Sequence, residues 1–375
     1  LFLGEVMQQT AKNQNRKPKI LIIRLSAAGD VVLTMPAFFY LRQIFPASKI
    51  DWVIDERFNG LLDILPGINR KIIFPGKSLK SKTLSFFSKL SILKKFIGEL
   101  RSEKYDMVFD FQGLFKSGLI SYLSRSVIRA GFRPGGHDSR EFNHIFQNKI
   151  VTVNEHETDC ELPLKILNRA ILLCARASEN KFAMPAVNLN IPGQFIDKIK
   201  LSLNEAKSSF NYDKVIVINP FTNWPTKTWP VENWAGLINE LRKNDKLKKA
   251  LFVLLWGPSE KKSSEKIIEM SCSDGVILSP ETSLNEVFAV IELSDLVISG
   301  DSFALHAGFI SGKKTVALFG ASEPSRCAPF GSNTSTVTLS LPCQHCFKKI
   351  CKFKTNECIE KLPIDMVKDA VLKII

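Results

Sequence analysis

Short apolar runs that each end in a turn and lead into an amphipathic stretch recur along this chain, and this alternation limits its folds more than any other feature. Lys19 to Leu25 (KILIIRL) is such a run, and the turn Ser26-Ala27-Ala28-Gly29-Asp30 leads into a stretch from Val31 to Ile44 that stops before Pro46. Strand, loop and helix follow in that order. The pattern returns at Ile50–Ile54, and at Met107–Phe111 after a basic helical stretch around Leu84–Arg101. A second series begins at Val215–Ile218 and continues through strands at Leu251–Leu255, Val276–Leu278, Leu296–Ile298 and Thr315–Phe319, with helices expected at Val231–Arg242, Lys261–Met270, Leu284–Leu293 and Ala304–Ser311. Repeated βα alternation predicts an α/β protein with mostly parallel sheets covered by helices. At 375 residues the chain has room for two such lobes. The expected boundary is the stretch Ala175–Pro192, rich in Asn and Pro, after a helix at Leu162–Cys174. It divides a lobe of residues 1–180 from one of 181–375.

Doubly wound sheets bind ligands beyond the carboxyl ends of their strands, so two facing lobes are expected to hold them at a cleft. Functional residues should therefore follow strands. Asp30 is the foremost of these in the first lobe: a carboxylate there can take a proton from an attacking hydroxyl, or simply cap the helix. In the second lobe, Asn219 to Pro230 (NPFTNWPTKTWP) places hydroxyls and Lys227 ahead of a helix. It reads either as a phosphate cradle or as a turn whose Trp residues pack on that helix. Ser299 to Gly308 (SGDSFALHAG) starts a helix at the mouth of the sheet, where first-turn amides and the Ser302 hydroxyl can hold a pyrophosphate, and Asp301 and His306 add polar groups. Asp301 as a cap and His306 as a satisfied buried histidine are the alternatives. Neither lobe has a GxGxxG after its first strand and there is no Walker spacing, which disfavours NAD and P-loop chemistry.

Charge is uneven. Residues 1–150 hold 24 Lys and Arg against 12 Asp and Glu, while the rest hold 27 against 25. A basic first lobe suggests an anionic partner, with a solubilising surface as the alternative, and no aromatic-interleaved basic motif points to nucleic acid. No apolar run is long enough for a membrane span, and the start lacks a signal-peptide pattern, so a cytoplasmic location is expected. The thiols are then expected to be reduced. Cys343, Cys346, Cys351 and Cys358, with His345 among them, offer one CxxC and two further thiols that could make a zinc or iron–sulfur site, but the spacing lacks the second CxxC of common ribbons, and reduced structural thiols are the expectation.

Ser26–Ala37 (SAAGDVVLTMPA), Asp110–Ser117 (DFQGLFKS), Thr226-Lys227-Thr228-Trp229-Pro230 and Asp301-Ser302 followed by His306 resemble, in order, the motifs of the ADP-heptose:lipopolysaccharide heptosyltransferases of glycosyltransferase family 9. The resemblance runs from about Lys19 to the C-terminus. It implies the two-lobed GT-B fold, a nucleotide-sugar donor in the second lobe, an acceptor in the first, and inversion at the anomeric carbon with no cofactor or essential metal. Asp30 matches the base. Thr222, Thr226 and Lys227 match donor phosphate positions, Glu260 the ribose contact and Thr282 the adenine side. Asp301 would hold heptose hydroxyls, Ser302 and the Phe303 amide the pyrophosphate, and His306 the sugar or phosphate side, with Phe303 standing where glycine is usual. The implied partners are ADP-heptose and an anionic Kdo-lipid A acceptor at the inner face of the cytoplasmic membrane, met by Lys77, Lys80, Lys82, Arg133 and Arg140. The Asp110–Ser117 segment and Ser139-Arg140-Glu141-Phe142 look more like the first heptosyltransferase of the pathway than the second. A later heptose transfer or another nucleotide sugar is the alternative.

Overall fold

The structure, a computed structural model, describes residues 17–132, 141–151, 185–271 and 274–375. It divides into two compact units, Leu1–Asn188 and Leu189–Ile375. Arg133, Arg140, the expected helix Leu162–Cys174 and most of the expected linker lie outside the described residues.

The first unit is built on a parallel sheet of β1 (Lys19–Ile23), β2 (Lys49–Asp55), β3 (Arg70–Phe74), β4 (Met107–Asp110), β5 (Ile128–Phe132) and β6 (Lys149–Val151). Their order across the sheet is β3-β2-β1-β4-β5-β6. β1 is central, with Ile22 opposite Trp52 on one side and Phe109 on the other. Burial on both faces explains the unbroken apolar run of β1. Helix Ala28–Ile44 follows β1 and buries Val31, Val32, Met35 and Phe38. Helix Phe86–Leu100 is capped by Ser85, whose hydroxyl accepts the Ser88 amide, and sinks Phe96 and Leu100 into a core with Ile72, Tyr105 and Val108.

The second unit repeats the plan with β7 (Lys214–Asn219), β8 (Ala250–Leu254), β9 (Val276–Leu278), β10 (Leu296–Gly300), β11 (Lys314–Phe319) and β12 (Thr334–Thr338), in the order β12-β11-β10-β7-β8-β9. Trp229 and Trp234 meet edge to face at 5.0 Å inside its core, and the Trp229 indole N–H donates to the Leu362 carbonyl at 3.1 Å. Helix Ile364–Ile374 closes this core with Val367 and Val371.

Both strand orders reverse once, between β1 and β4 in the first unit and between β7 and β10 in the second. At such a reversal the following connections leave to opposite faces, and the strand ends open into a crevice. The residues singled out as Asp30, Asn219–Lys227 and Asp301–His306 follow strands at these two points.

Candidate functional site

In the first unit the loop after β1 is held by the loop after β4. Gln112 Oε1 accepts the amides of Leu25 and Ser26, both at 2.9 Å. Gln112 is itself set by Asp110, a fully buried carboxylate that accepts the Gln112 amide at 2.9 Å and Asn143 Nδ2 at 2.7 Å. Burial pushes the Asp110 carboxyl up, against the pull of those donors. Asp30 sits in the first turn of helix Ala28–Ile44, and its Oδ2 accepts the Ala27 amide at 2.9 Å. Arg24 Nη2 reaches the same oxygen at 2.9 Å, and the Arg24 guanidinium also donates to the Phe111 carbonyl. Both contacts fall on Oδ2, and the side chain keeps 44% of its surface exposed. The carboxylate thus caps its helix and remains open to a ligand.

Lys77 and Lys80 lie on the short helix Gly76–Lys80, Lys82 just beyond it, and all three are exposed. This turn is pressed onto the end of β2, since a Cβ on Gly76 would stand 2.2 Å from Asp55 Oδ2. Asp55 is bound by Arg57 at 2.7 Å; burial works to raise its carboxyl, and Arg57 outweighs burial and holds it low. Lys116, half-buried over the Phe74 ring, has its ammonium pKa lowered by burial and by the charge of Lys80. Lys116 and Arg57 therefore join the lysines of this region, with Asp55 among them.

In the second unit the ends of β7 and β10 are tied by hydroxyls. Asn219 Nδ2 donates to Ser299 Oγ at 3.2 Å and to Ser302 Oγ at 3.1 Å, and the two serine oxygens are 2.7 Å apart. Ser302 occupies the N-cap of helix Phe303–Ile310 without using its side chain as a cap. A helix leaves its first-turn N–H groups without intrahelical acceptors, so the amides of Phe303, Ala304 and Leu305 stand ready for an anion. The Phe303 ring packs edge to face on Phe288 at 5.9 Å.

Asp301 lies before this turn with a side chain only 9% exposed. Lys227 Nζ contacts its Oδ2 at 2.5 Å, and His306 Nε2 lies 3.3 Å from its Oδ1. Burial alone would raise the Asp301 carboxyl; His306 and the Lys227 charge overcome it and hold the group well below the ordinary carboxylate range. The Lys227 ammonium also lies 4.5 Å from the centre of the Trp224 ring. Gly300 makes this assembly possible, because a Cβ there would stand 2.8 Å from the Lys227 carbonyl oxygen.

The threonines divide. Thr222 Oγ1 accepts the Trp224 amide at 3.2 Å and pairs with Thr228 Oγ1 at 3.0 Å, shaping the loop that presents Lys227. Thr226, expected at the phosphates, is buried and donates its hydroxyl to the Lys348 carbonyl at 2.7 Å, so it holds the cysteine-bearing segment instead. Glu260 folds back on the end of β8, its Oε2 accepting the Gly257 amide at 2.8 Å. Thr282 lies in a loop braced by Glu286, which accepts the Ser283 amide at 2.7 Å and pairs with Lys198 at 2.8 Å. Burial opposes ionisation of Glu286, yet Lys198 and Ser283 bring its pKa down to about 2.

Cys343, Cys346, Cys351 and Cys358 are free thiols. Burial, followed by the neighbouring Cys346, Cys343 and Cys351, raises Cys358 to about 11. Backbone N–H groups of residues 353–356 lower Cys351. Among the described residues, no group of three or more His, Cys, Asp or Glu is arranged to hold a metal ion.

Arg24, Lys116 and Asn143 were not marked by the sequence as site residues. Lys116 belongs to the Asp110–Ser117 motif, whereas Arg24 meets Phe111 and Asn143 meets Asp110 across long stretches of chain.

Residues 93–356 match the family described as glycosyltransferase family 9 (heptosyltransferase). The chain belongs to this family. It is a glycosyltransferase. Among relatives of this heptosyltransferase-family chain, lipopolysaccharide heptosyltransferase 1 of Campylobacter coli is 26% identical over 323 residues, covering 85% of this chain and 88% of the relative. Lipooligosaccharide heptosyltransferase 2 of Campylobacter jejuni serotype O:2 is 23% identical over 359 residues, 93% of this chain and 96% of the relative. Among solved structures, E. coli heptosyltransferase WaaC with ADP superposes with a TM-score of 0.67 at 23% identity, covering 85% of this chain and 92% of that one. E. coli ADP-heptose lps heptosyltransferase II gives 0.67 at 17%, covering 95% and 98%. The two doubly wound units are those of the GT-B fold. Among the described residues, no helix of this glycosyltransferase is long and apolar enough to cross a membrane.

Proposed function

We propose that this enzyme transfers heptose from ADP-heptose to an anionic Kdo-lipid A acceptor, with inversion at the anomeric carbon and at the inner face of the cytoplasmic membrane. The observation that carries the reading is the buried Lys227–Asp301–His306 assembly at the β7/β10 reversal, beside the open amides of helix Phe303–Ile310. The amides and Lys227 suit the diphosphate, and Asp301, held ionised, suits sugar hydroxyls. Glu260 and Thr282, after β8 and β9, would receive the ribose and adenine. The relatives named as heptosyltransferases, and the solved relatives whose titles name ADP and an ADP-heptose analogue, support this choice of donor.

In the proposed step the acceptor hydroxyl oxygen bonds to C1 of the heptose while the bond from C1 to the phosphate oxygen breaks. Asp30 takes the hydroxyl proton, and ADP leaves with the electron pair of the broken bond. Charge grows on the departing phosphate, where Lys227 and the first-turn amides stabilise it. Arg24 and the Ala27 amide keep the Asp30 carboxylate oriented without covering it. Lys77, Lys80, Lys82 and Lys116 supply positive charge for the acceptor, a role also proposed for Arg133 and Arg140.

The test is turnover of ADP-heptose against a panel of truncated acceptors. Kdo-lipid A should be used and a core already bearing heptose should not. Preference for the heptosylated core would move the enzyme to a later transfer, the reading favoured by the relatives named heptosyltransferase 2. Turnover of another nucleotide sugar in place of ADP-heptose would refute the donor assignment.

A further inference from the structure

Helix Phe86–Leu100 is amphipathic in an unusual way. Its inner side is committed to the core through Phe96 and Leu100, with Leu93 and Ile97 against them. Its outer side is also apolar at the N-terminal end, where Phe86 is 74% exposed, Phe87 80% and Leu90 52%. The two phenyl rings lie edge to face, 6.0 Å apart. Phe87, Leu90 and Lys94 are spaced i, i+3, i+7 and so share one stripe of the helix surface. Core packing accounts for Phe96 and Leu100 and leaves the outer three unexplained, since large apolar groups clustered in water mark an interaction surface.

The surrounding charge identifies the kind of surface. No acidic residue occurs between Asp63 and Glu99, and eight basic residues do. Lys82, Lys94 and Lys95 are exposed on or beside the helix. Aromatic and aliphatic side chains on a stretch of chain that carries lysines and no acid suit the headgroup region of an anionic bilayer: rings enter the interface and ammonium groups meet lipid phosphates.

We propose that the N-terminal half of helix Phe86–Leu100 seats this enzyme on an anionic lipid bilayer, with Phe86, Phe87 and Leu90 entering the interfacial layer and Lys82, Lys94 and Lys95 lying against the headgroups. The proposal deepens the reading of a lipid-borne acceptor, and gives the apolar residues an anchoring role separate from acceptor recognition. Charge alone would give binding that salt abolishes; the apolar insertion leaves a component that persists when charges are screened.

The experiment is co-sedimentation of the full chain with vesicles of phosphatidylcholine and phosphatidylglycerol (about 70:30) and with phosphatidylcholine alone, at ~50 and ~500 mM salt. The wild type should bind the anionic vesicles and retain part of that binding at high salt. Changing Phe86, Phe87 and Leu90 together to Ser should weaken binding about tenfold or more and remove the salt-resistant part. ADP affinity and turnover on a deacylated, water-soluble acceptor should be unchanged, which also shows that the variant is folded. Phe87→Trp should give a blue-shifted emission component quenched by brominated lipid in anionic vesicles.

Unchanged vesicle binding by the triple variant would overturn the proposal, as would an equal loss of turnover on the soluble acceptor, which would place these residues in acceptor recognition. So would loss of vesicle binding in Ile350→Ser/Phe353→Ser while the Phe86–Leu90 variant binds normally, because Ile350 and Phe353 are exposed among lysines elsewhere. Binding of a single-stranded oligonucleotide that disappears with the same three residues would assign the surface to nucleic acid instead. Absence of heptose transfer to any acceptor would refute the proposed reaction and leave the vesicle result to be judged alone.

Discussion

Replacing Lys227 by Met should separate its observed role, as counter-ion to Asp301, from its proposed one, as phosphate ligand. Its ammonium meets Asp301 Oδ2 at 2.5 Å with both side chains largely buried, 15% and 9% exposed. Removing one member of a buried pair typically costs about 3–5 kcal/mol, because the other charge is left uncompensated. His306 still contacts Asp301 Oδ1, which places the expected cost near the lower end, at about 3 kcal/mol. The cost should depend on pH, with a definite sign. In the wild type the folded-state pKa of Asp301 is depressed, so its contribution is present above the unfolded value of about 4 and is lost as pH falls through the folded value. In Lys227→Met, burial faces less opposition, the folded pKa rises, and protonation relieves the buried charge as pH falls from neutrality. The stability gap between the two proteins should therefore be widest near neutral pH and should narrow toward about pH 4.5. Urea unfolding followed by tryptophan fluorescence is a suitable assay, since four of the five Trp residues lie in the second unit. The double variant Lys227→Met/Asp301→Asn should recover most of the lost stability while still binding ADP about 10- to 100-fold more weakly than wild type, the worth of a charge-assisted contact. The reasoning is refuted if Lys227→Met costs under about 1 kcal/mol at neutral pH, if the gap is unchanged by acid, or if the double variant regains ADP affinity.

Asp30→Asn should remove turnover and leave ADP affinity within a few-fold, because the amide oxygen can still accept the Ala27 N–H; more than about a tenth of the wild-type rate would exclude Asp30 as base. Gly300→Ala should lower stability by about 1–3 kcal/mol and weaken ADP binding, as the new methyl meets the Lys227 backbone rather than a yielding side chain; calorimetry showing normal affinity would contradict this. Changing Lys77, Lys80 and Lys82 to Gln should raise the acceptor KM while ADP affinity stays constant, and an unchanged KM at low salt would make these lysines a solubilising surface.

The inner strands were legible because a strand covered on both faces must be apolar throughout: KILII and VIVI could not be placed elsewhere. β3, β5, β6 and β12 were less visible. RKIIF, IRAGF, KIV and TSTVT are short and mix polar with apolar residues; β3, β6 and β12 are edge strands, and β5 lies beside one. Helix Leu284–Leu293 was expected a little too early, since Ser283 and Glu286 form a braced turn before the regular helix Val287–Glu292 begins. At the sites, a position after a strand marked Asp30 and Asp301, but sequence spacing carries no direction for a hydroxyl. Thr222 and Thr226 are four residues apart with the same chemistry, and only the fold turns one toward the Lys227 loop and the other toward Lys348. Arg24, just after β1, ends an apolar run with nothing to mark its role: Asp30 is six residues on, but the Phe111 carbonyl that also holds the guanidinium arrives only when β1 and β4 pair.

The hydroxyl of Thr226 is one stitch in a seam. The Thr226 carbonyl accepts the Ala321 amide at 3.2 Å, the Ala321 carbonyl accepts the Phe347 amide at 2.9 Å, and the Lys348 carbonyl returns to the Thr226 hydroxyl. Gly320 lets the segments of this seam close, since a Cβ there would lie 2.4 Å from the Thr226 carbonyl oxygen. The segment carrying Cys343 and Cys346 is consequently sewn to the backbone one residue from Lys227. An alkylating reagent or a loop deletion aimed at those cysteines would pull on the same thread, so with Lys227 in its proposed role a fall in nucleotide affinity after such treatment would not by itself place a thiol against the nucleotide.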